Sequence, residues 1–498
     1  MKLKLLLPLL ALLAVACSDY ESFSDSPNFR LTFSQDTIAF DTLISTIPSS
    51  TKTLYAFNNN ADGMRISTIQ LEGGAASHFR VNVDGRFLAN GIWHDFEVLR
   101  HDSLVVRIEM TPPEAGSNEP LHFTDKLHFL LENGATQTVV LTGGSIDAYI
   151  KRGGLIIESD ETLLTDKPYV IYDSLVVKEG ATLTLTEGTK LMFHDKAALH
   201  VYGKLQVTGS IEKPVVLRGD RMDHMFDYLR YDNTPSRWEG IIIHRGSYGN
   251  KLFQCDLHSS RFGIICEDTE QLKPDEANPS VTLDCCILHN IGGDGLQLNN
   301  CASNVTNTQI SNTLGHTVNI NGGSHTFVYC TIAQFYPFTA NFGDGLHLVS
   351  SEDGSEYGML NKAYFINCVI TGYGEDVIMG ENIVTANYTC DYLFHNCFLN
   401  TPVVNDAEHF YECIFDQDKK KGEEDKLVRQ ENFQVFDTKN FIYDFTPKDS
   451  SMIRSLADKT IEGLPLFDRK GVSRLADDAP DAGCYEYVAP TEEEEVKP

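Results

Sequence analysis

The amino-acid sequence predicts an all-β chain in which a two-sheet sandwich is followed by a solenoid of short, stacked strands. In the first third of the chain, apolar and polar residues alternate with period two, as in LVVRIEM at 104–110. Residues 173–220 then break into strands of four to six residues, separated by tight turns such as KEG, TEG and YGK. Strands this short cannot bury a core as isolated hairpins, but they can when successive turns of the chain stack on one another.

The first 17 residues have the pattern of a secretory signal. Two lysines precede an unbroken apolar run at 5–16, and Cys17 follows it directly. A membrane-spanning helix needs about 20 apolar residues, so this run is too short to be one. Ala14-Val-Ala16 before the cysteine resembles a bacterial lipoprotein processing site, which implies lipidation of Cys17 and an outer-membrane lipoprotein of the cell envelope. The alternatives are an ordinary cleaved signal peptide and a buried apolar strand.

Residues 18–27 are expected to form a linker, and the sandwich is expected to cover 28–148. Alternating runs punctuated by NNNADG, EGG and TPPEAGSNEP are typical of short antiparallel strands. Within LVVRIEM, the residues Leu104, Val106, Ile108 and Met110 share one face. The order of these pieces resembles the immunoglobulin-like modules of bacterial surface proteins. That resemblance implies a spacer or adhesion unit.

A repeat runs through 149–415. In most turns of the chain a strand of the form x-C-x-[IVL] comes first, and a second apolar strand follows it. Trp238-Glu-Gly-Ile241 matches a W-x-G-I pattern, and together these segments resemble the right-handed parallel β-helix (pectin lyase-like fold) of bacterial surface proteins. The first-strand positions that we assign are Cys255, Cys285, Thr308, Cys330, Cys368, Cys397 and Cys413.

Stacking at the spacing of parallel strands, about 4.8 Å, would place these positions in one inward ladder. Small, polarizable thiols suit such an interior, and we expect them to be reduced and inert. The cysteine spacing lacks CxxC pairs joined to histidine clusters, so the sequence predicts no structural metal site and no cofactor.

The end of the chain is expected to close the solenoid. Residues 416–487 comprise a charged insertion and a capping segment, and 488–498 form an acidic tail that we expect to be disordered. Pro480-Asp-Ala-Gly-Cys-Tyr-Glu-Tyr487 resembles the closing segment of bacterial β-helix proteins, which implies a last strand that covers the open core.

The charge balance excludes one class of partner. Lys and Arg number 40 against 70 Asp and Glu, which gives a net charge of −30. A protein so acidic repels polyanions, so we expect no nucleic-acid binding. We expect membrane attachment through the lipid rather than through basic patches.

Aligning the turns of the chain places polar side chains just before and on the outward side of the second strand. Carboxylates two turns apart would reach the separation of about 6.5–9.5 Å that inverting glycosidases use. Catalytic roles would fall to the residues before the strand, namely Asp294, His316, Asp344 and Glu375, with Asp376 as the alternative to Glu375. Binding roles would fall to the outward residues, namely Gln297, Asn319 and His347, with Ile265 and Ile378 on neighbouring turns.

Turn chemistry explains the same residues without catalysis, because Gly and Asp supply the left-handed and hydrogen-bonded positions that turns need. We therefore favour a non-catalytic interaction surface for a glycan or an envelope protein. The alternative is a polysaccharide-active enzyme. A hydrolase is a better candidate than a lyase, because residues 285–350 contain no Lys or Arg to serve as base or to hold an anionic substrate.

Overall fold

The computed structural model describes residues 21–226, 228–351, 356–383, 390–416, 429–476 and 479–489. Cys17 and its predicted lipidation, the signal peptide and nearly all of the acidic tail lie outside these residues. The chain divides into two compact units, the first ending at Asp147 and the second beginning at Ala148. Within the described ranges, no helix is both long enough and apolar enough to cross a membrane.

The first unit consists of two five-stranded sheets, ordered β1-β3-β8-β5-β6 and β2-β10-β9-β4-β7. All pairings are antiparallel except that of β2 with β10. Two short 3₁₀ helices occupy Gly74–Ala76 and Ala89–Gly91. The strands are β1 Thr32–Phe33, β2 Thr37–Ile44, β3 Lys52–Phe57, β4 Met64–Leu71, β5 Phe79–Val83, β6 Arg86–Phe87, β7 Ile92–Val98, β8 Ser103–Met110, β9 Leu121–Leu131 and β10 Thr136–Ile146.

The two sheets bury their apolar faces against each other. Phe79 on β5 contacts Phe40 and Phe123 of the other sheet, with ring centroids 5.9 and 5.8 Å apart. On β8 every second residue is buried, and this is the face predicted from the alternation at 104–110. The apolar face is therefore set by the side-chain period of a strand.

The second unit contains the remaining strands and two 3₁₀ helices, Tyr231–Asn233 and Gln430–Asn432. The strands are β11 Tyr149–Lys151, β12 Leu155–Ile157, β13 Glu161–Thr162, β14 Tyr169–Ile171, β15 Leu175–Val177, β16 Thr182–Thr186, β17 Lys190–Phe193, β18 Ala198–Val201, β19 Lys204–Thr208, β20 Val215–Gly219, β21 His224–Phe226, β22 Leu229–Arg230, β23 Gly240–Ile243, β24 Asn250–Phe253, β25 Cys255–His258, β26 Ile264–Cys266, β27 Val281–Asp284, β28 Ile287–Ile291, β29 Leu296–Thr306, β30 Gln309–Thr313, β31 Val318–Val328, β32 Thr331–Gln334, β33 Leu346–Val349, β34 Leu360–Ile366, β35 Val369–Gly372, β36 Ile378–Glu381, β37 Tyr392–His395, β38 Phe398–Leu399, β39 Phe410–Tyr411, β40 Ile414–Phe415, β41 Phe433–Asp437 and β42 Ile442–Pro447.

Most of these strands form three parallel stacks, and along most of the unit each turn of the chain adds one strand to each stack. The first stack is β11-β14-β17-β20-β25-β28-β30-β32-β35-β38-β40. The second is β12-β15-β18-β23-β26, the first halves of β29 and β31, then β33 and β36. The third is β13-β16-β19-β24-β27, the second halves of β29 and β31, then β34, β37 and β39. Large parallel sheets built in this order are consistent with a β-helix or another solenoid.

A ladder of thiols lines the interior at the corner where the third stack leads into the first. The backbone N–H of Cys330 faces Cys368 Sγ at 3.4 Å, and the N–H of Cys368 faces Cys397 Sγ at 3.4 Å. The eleven cysteines that the structure describes are all unpaired, and all except Cys413 are buried. Burial raises the pKa of the Cys330 and Cys368 thiols well above the ordinary value, so they stay protonated and apolar.

The ladder position in one turn differs from the sequence prediction. Asp256 pairs with Ile287, which puts Cys286, not Cys285, beside Cys255. Cys285 has φ 56° and lies one residue earlier, in a row of left-handed corner residues. The prediction was wrong by one position because two adjacent cysteines fit the local pattern equally well. The members of this left-handed row are Gln254, Cys285, Asn307, Tyr329, Asn367, Asn396 and Glu412.

The C-terminal segment lies along the side of the first stack, whereas the sequence predicted a closing strand. Residues 480–487, all of them described, form no strand. Instead, the N–H of Gly483 donates to the Asn367 carbonyl at 2.8 Å, and the Tyr485 hydroxyl donates to Gln309 Oε1 at 2.7 Å. The outer face of the first stack carries apolar residues that need cover, and the segment buries them. This cluster contains Ala333, Phe335, Val369, Phe398, Phe433, Phe445, Ile453, Ala482, Cys484 and Tyr485.

Candidate functional site

The outward residues proposed for binding occupy equivalent positions on successive strands of the second stack. Gln297 pairs with Asn319, and Asn319 pairs with His347. Ile265 precedes them in the same row, as expected. Met379 follows them, because Ile378 pairs with Leu346 and not with His347. The fold therefore produces a row of two amides and an imidazole between two apolar side chains.

The residues proposed for catalysis precede this row, in the turn that enters the strand. The Asp294 carboxylate accepts the His316 backbone N–H at 2.8 Å through Oδ1 and the Asn319 Nδ2–H at 2.7 Å through Oδ2. His316 Nδ1 accepts the Asp344 backbone N–H at 3.0 Å and lies 3.3 Å from Asp344 Oδ2. Both oxygens of Asp294 thus hold the next turn of the chain in place.

Glu375 does not occupy the position equivalent to Asp294, His316 and Asp344. Because Leu346 pairs with Ile378, the residue level with Asp344 is Asp376, one position later. Asp376 Oδ1 accepts the Ile378 N–H at 3.1 Å, and both Asp376 and Glu375 are exposed. The apolar pair Val377-Ile378 allows two alignments in the sequence, and only the pairing of β33 with β36 selects one of them.

His347 of the row stacks on His316 of the preceding turn and contacts an acidic residue, Glu381, that sequence reasoning missed. The rings of His316 and His347 stack with centroids 4.3 Å apart. His347 Nδ1 lies 3.2 Å from Asn319 Oδ1, and its Nε2 lies 3.4 Å from Glu381 Oε1. The His316 and Asp344 side chains are 27% and 31% exposed, so a ligand can reach them. The row and the turn before it therefore offer partly exposed donors and acceptors for hydrogen bonding.

A second cluster, which the sequence did not reveal, lies on the outer face of the first stack. His258 Nδ1 lies 2.8 Å from Asp256 Oδ1, and His289 Nε2 lies 3.3 Å from the same oxygen. His258 Nε2 contacts Asp232 Oδ1 at 2.7 Å, and Arg218 holds that oxygen at 2.9 Å. Burial lowers the pKa of His258, but the charge of Asp256 and the hydrogen bonds to both carboxylates outweigh it and raise the pKa to about 9.

One sequence signal could have found this cluster. With Cys286 in the ladder, the pattern C-x-x-H occurs at 255–258 and again at 286–289, one turn of the chain later. The alignment through Cys285 placed His258 and His289 at positions that are not equivalent, so the repeated pattern was not recognised. The structure pairs His258 directly with His289.

A cavity of about 340 Å³ opens next to His289, between the first stack and the C-terminal segment. Three polar atoms of its lining residues are buried and have no hydrogen-bond partner among the described residues: Asn312 Oδ1, Tyr443 OH and Arg469 Nε. Unpaired buried polar atoms are costly unless water or a ligand satisfies them. The other lining residues are Asn233, Ile287, Asn290, Gln309, Ser311, Phe441, Asp444, Lys470 and Tyr485.

Comparison with known proteins gives little guidance. No protein-family model and no curated protein sequence matches this chain. Among solved structures, the ASH/PapD-like domain 7 of human CEP192 is 14% identical and matches 26% of this chain and 96% of its own, with a TM-score of 0.17. A family 123 glycoside hydrolase from Clostridium perfringens is 8% identical over 25% of this chain and 26% of its own, with a TM-score of 0.18. The N-terminal domain of PorA is 15% identical over 22% of this chain and 86% of its own, with a TM-score of 0.16. Likenesses this weak carry no argument about function.

Proposed function

We propose that this chain is a lipid-anchored cell-envelope protein whose right-handed parallel β-helix presents a non-catalytic surface for glycan binding. The first unit would be an immunoglobulin-like spacer. Support for the handedness comes from the general rule that parallel crossovers are right-handed. Support for the anchor comes from the LAVAC sequence ending at Cys17. Metabolic labelling with palmitate tests the anchor, since a Cys17→Ser variant should lose the label.

The observation that carries the non-catalytic reading is the hydrogen bonding of Asp294. A general acid or base needs an oxygen that can exchange a proton with substrate. Both oxygens of this carboxylate instead accept hydrogen bonds from the next turn, one from the His316 backbone and one from Asn319. These contacts explain the residue as a structural part of the turn.

The outward row supports a neutral glycan as the ligand. Gln297 and Asn319 are partly exposed amides, and each amide can both donate to and accept from sugar hydroxyl groups. Ile265 and Met379 give the row apolar ends against which a sugar ring could pack. With a net charge of −30 and no Lys or Arg at 285–350, an anionic glycan would be repelled.

Binding to a panel of neutral oligosaccharides, measured by isothermal titration calorimetry, tests this surface. We expect Gln297→Ala to weaken binding at least fivefold, because Gln297 would contact the ligand and its loss costs hydrogen bonds. Asn304→Ala is the matched control, since Asn304 is an exposed amide on the same strand β29 but points out of the third stack. Equal losses in the two variants would refute the assignment of the surface.

A hydrolase remains the second candidate, and the contact of His316 with Asp344 at 3.3 Å favours it. Carboxylates on alternate turns, such as Asp294 and Asp344, would lie about 9.6 Å apart at the strand spacing, near the upper limit for an inverting glycosidase. Release of new reducing ends by the wild-type protein, absent in Asp344→Asn, would make this turn an active site and overturn the non-catalytic proposal.

A further inference from the structure

We propose that Asp256, His258 and His289 form a binding site for a divalent transition-metal ion of the zinc class. One ligand atom from each of these residues lies within 4.8 Å of the other two. The proposal does not depend on the glycan surface, because the three residues lie on the first stack and the polar row lies on the second.

The solenoid brings these side chains together for a simple geometric reason. Asp256 and His258 are two residues apart on β25, so both point out of the same face. His289 on β28 pairs with His258, and the two rings lie 4.8 Å apart. Two neighbouring strands therefore supply three converging donors, although the residues are 33 positions apart at most.

The separations of Asp256 Oδ1 from the two imidazole nitrogens are close to those in a zinc site. Zinc binds nitrogen at about 2.0–2.1 Å and carboxylate oxygen at about 2.0–2.2 Å, so two ligands of a tetrahedral ion lie about 3.3 Å apart. Asp256 Oδ1 lies 2.8 Å from His258 Nδ1 and 3.3 Å from His289 Nε2. Two imidazoles with one carboxylate suit zinc, iron or nickel better than magnesium or calcium, which prefer oxygen ligands.

The surroundings of His258 are those of a metal ligand. Its Nε2 contacts Asp232 Oδ1 at 2.7 Å, and Arg218 holds the same oxygen at 2.9 Å. A carboxylate that accepts the second ring N–H of a histidine fixes its tautomer and its orientation, and leaves the other nitrogen to face the ion. Here that other nitrogen is Nδ1, the atom nearest Asp256.

The site is also accessible. The side chains of Asp256 and His289 are 27% and 26% exposed, whereas that of His258 is 9% exposed. His289 lines the cavity of about 340 Å³ beside the C-terminal segment. An ion could enter from that side, and a fourth ligand, water or an oxygen of a bound molecule, would come from the cavity. Zinc sites with three protein ligands commonly hold water or another molecule at the fourth position.

The test is titration of the full chain, without a histidine tag and after treatment with chelator, with Zn²⁺ by calorimetry and with Co²⁺ by visible absorption. We expect one ion per chain, visible bands of a tetrahedral cobalt site, and a rise in the unfolding midpoint that EDTA reverses. Asp232→Asn should weaken binding 10- to 100-fold through the orientation of His258.

His289→Ala and the milder His289→Gln should each weaken Zn²⁺ binding at least tenfold, with circular dichroism showing that the fold is retained. His409→Ala is the matched control, because His409 also contacts a carboxylate, Asp406, at 2.7 Å but lies next to β39, the last strand of the third stack. It should leave the affinity unchanged. Absence of stoichiometric binding by the wild type, or equal affinity in the His289 variants, would overturn the proposal and leave the cluster as a hydrogen-bonded network.

Discussion

A buried histidine should make the second unit lose stability in mild acid. His325 on β31 is 0% exposed, with Nδ1 2.9 Å from Ser303 Oγ and Nε2 2.9 Å from the Gly322 carbonyl oxygen. The carbonyl can only accept, so Nε2 carries the proton and the Ser303 hydroxyl donates to Nδ1. Burial lowers the pKa of His325 from 6.5 to about 4. The imidazole is therefore neutral in the folded protein at pH 7.

The sign and size of the effect follow from linkage. Between pH 6.5 and pH 4 the unfolded chain holds a proton on His325 that the folded chain does not, so lowering the pH favours unfolding. The contribution is fully present above pH 6.5 and is lost as the pH falls to 4. At about 1.36 kcal/mol per pKa unit, the total loss is about 3.4 kcal/mol, of which about 2 kcal/mol is lost by pH 5.

Urea unfolding at several pH values, followed by tryptophan fluorescence, measures this loss. The chain has two tryptophans, and Trp238 in the second unit is 1% exposed. A Trp93→Phe background makes the signal report Trp238 alone. We expect His325→Ala to flatten the dependence of unfolding free energy on pH by about 2 kcal/mol between pH 7 and pH 5. Parallel curves for the two proteins would refute the assignment of a neutral, buried imidazole.

Three further predictions concern the ladder and the C-terminal segment. Arg474→Met should destabilise the second unit by about 3–5 kcal/mol in urea unfolding, because it leaves the buried Glu486 carboxylate without its cation. If the double variant Arg474→Met, Glu486→Gln is no more stable than Arg474→Met, this reasoning is wrong. Asn367 has φ 56°, a left-handed conformation that costs alanine more than glycine. The free energy of unfolding of Asn367→Ala should therefore be about 1–2 kcal/mol lower than that of Asn367→Gly, and the reverse order would argue against backbone strain. In a protein that begins at residue 18, Cys413 should be the first cysteine to react with a thiol reagent, because it is partly exposed and a hydrogen bond from Cys397 lowers its pKa. If Cys413→Ser shows the same early labelling as the unsubstituted protein, the reactive thiol is another cysteine.

Features that depend on local periodicity could be predicted from the amino-acid sequence. Alternation at Leu104, Val106, Ile108 and Met110 predicted the buried face of β8, because successive side chains of a strand point to opposite sides. The recurring strand pattern in the second unit predicted parallel stacking, because each short strand can bury its apolar side only against the turns above and below it. Both follow from the order of residues within short segments.

Which residues lie beside each other in neighbouring turns of the chain depends on packing throughout the fold. Cys285 and Cys286 fit the repeat equally well, and so do the alignments that would put Glu375 or Asp376 beside Asp344. A shift of one residue reverses the face on which a side chain lies, so the register has to be selected by packing along the whole stack. The same holds for His258 and His289, and for the C-terminal segment that covers the first stack. Their contacts join residues distant in the sequence, and no local pattern encodes the choice among them.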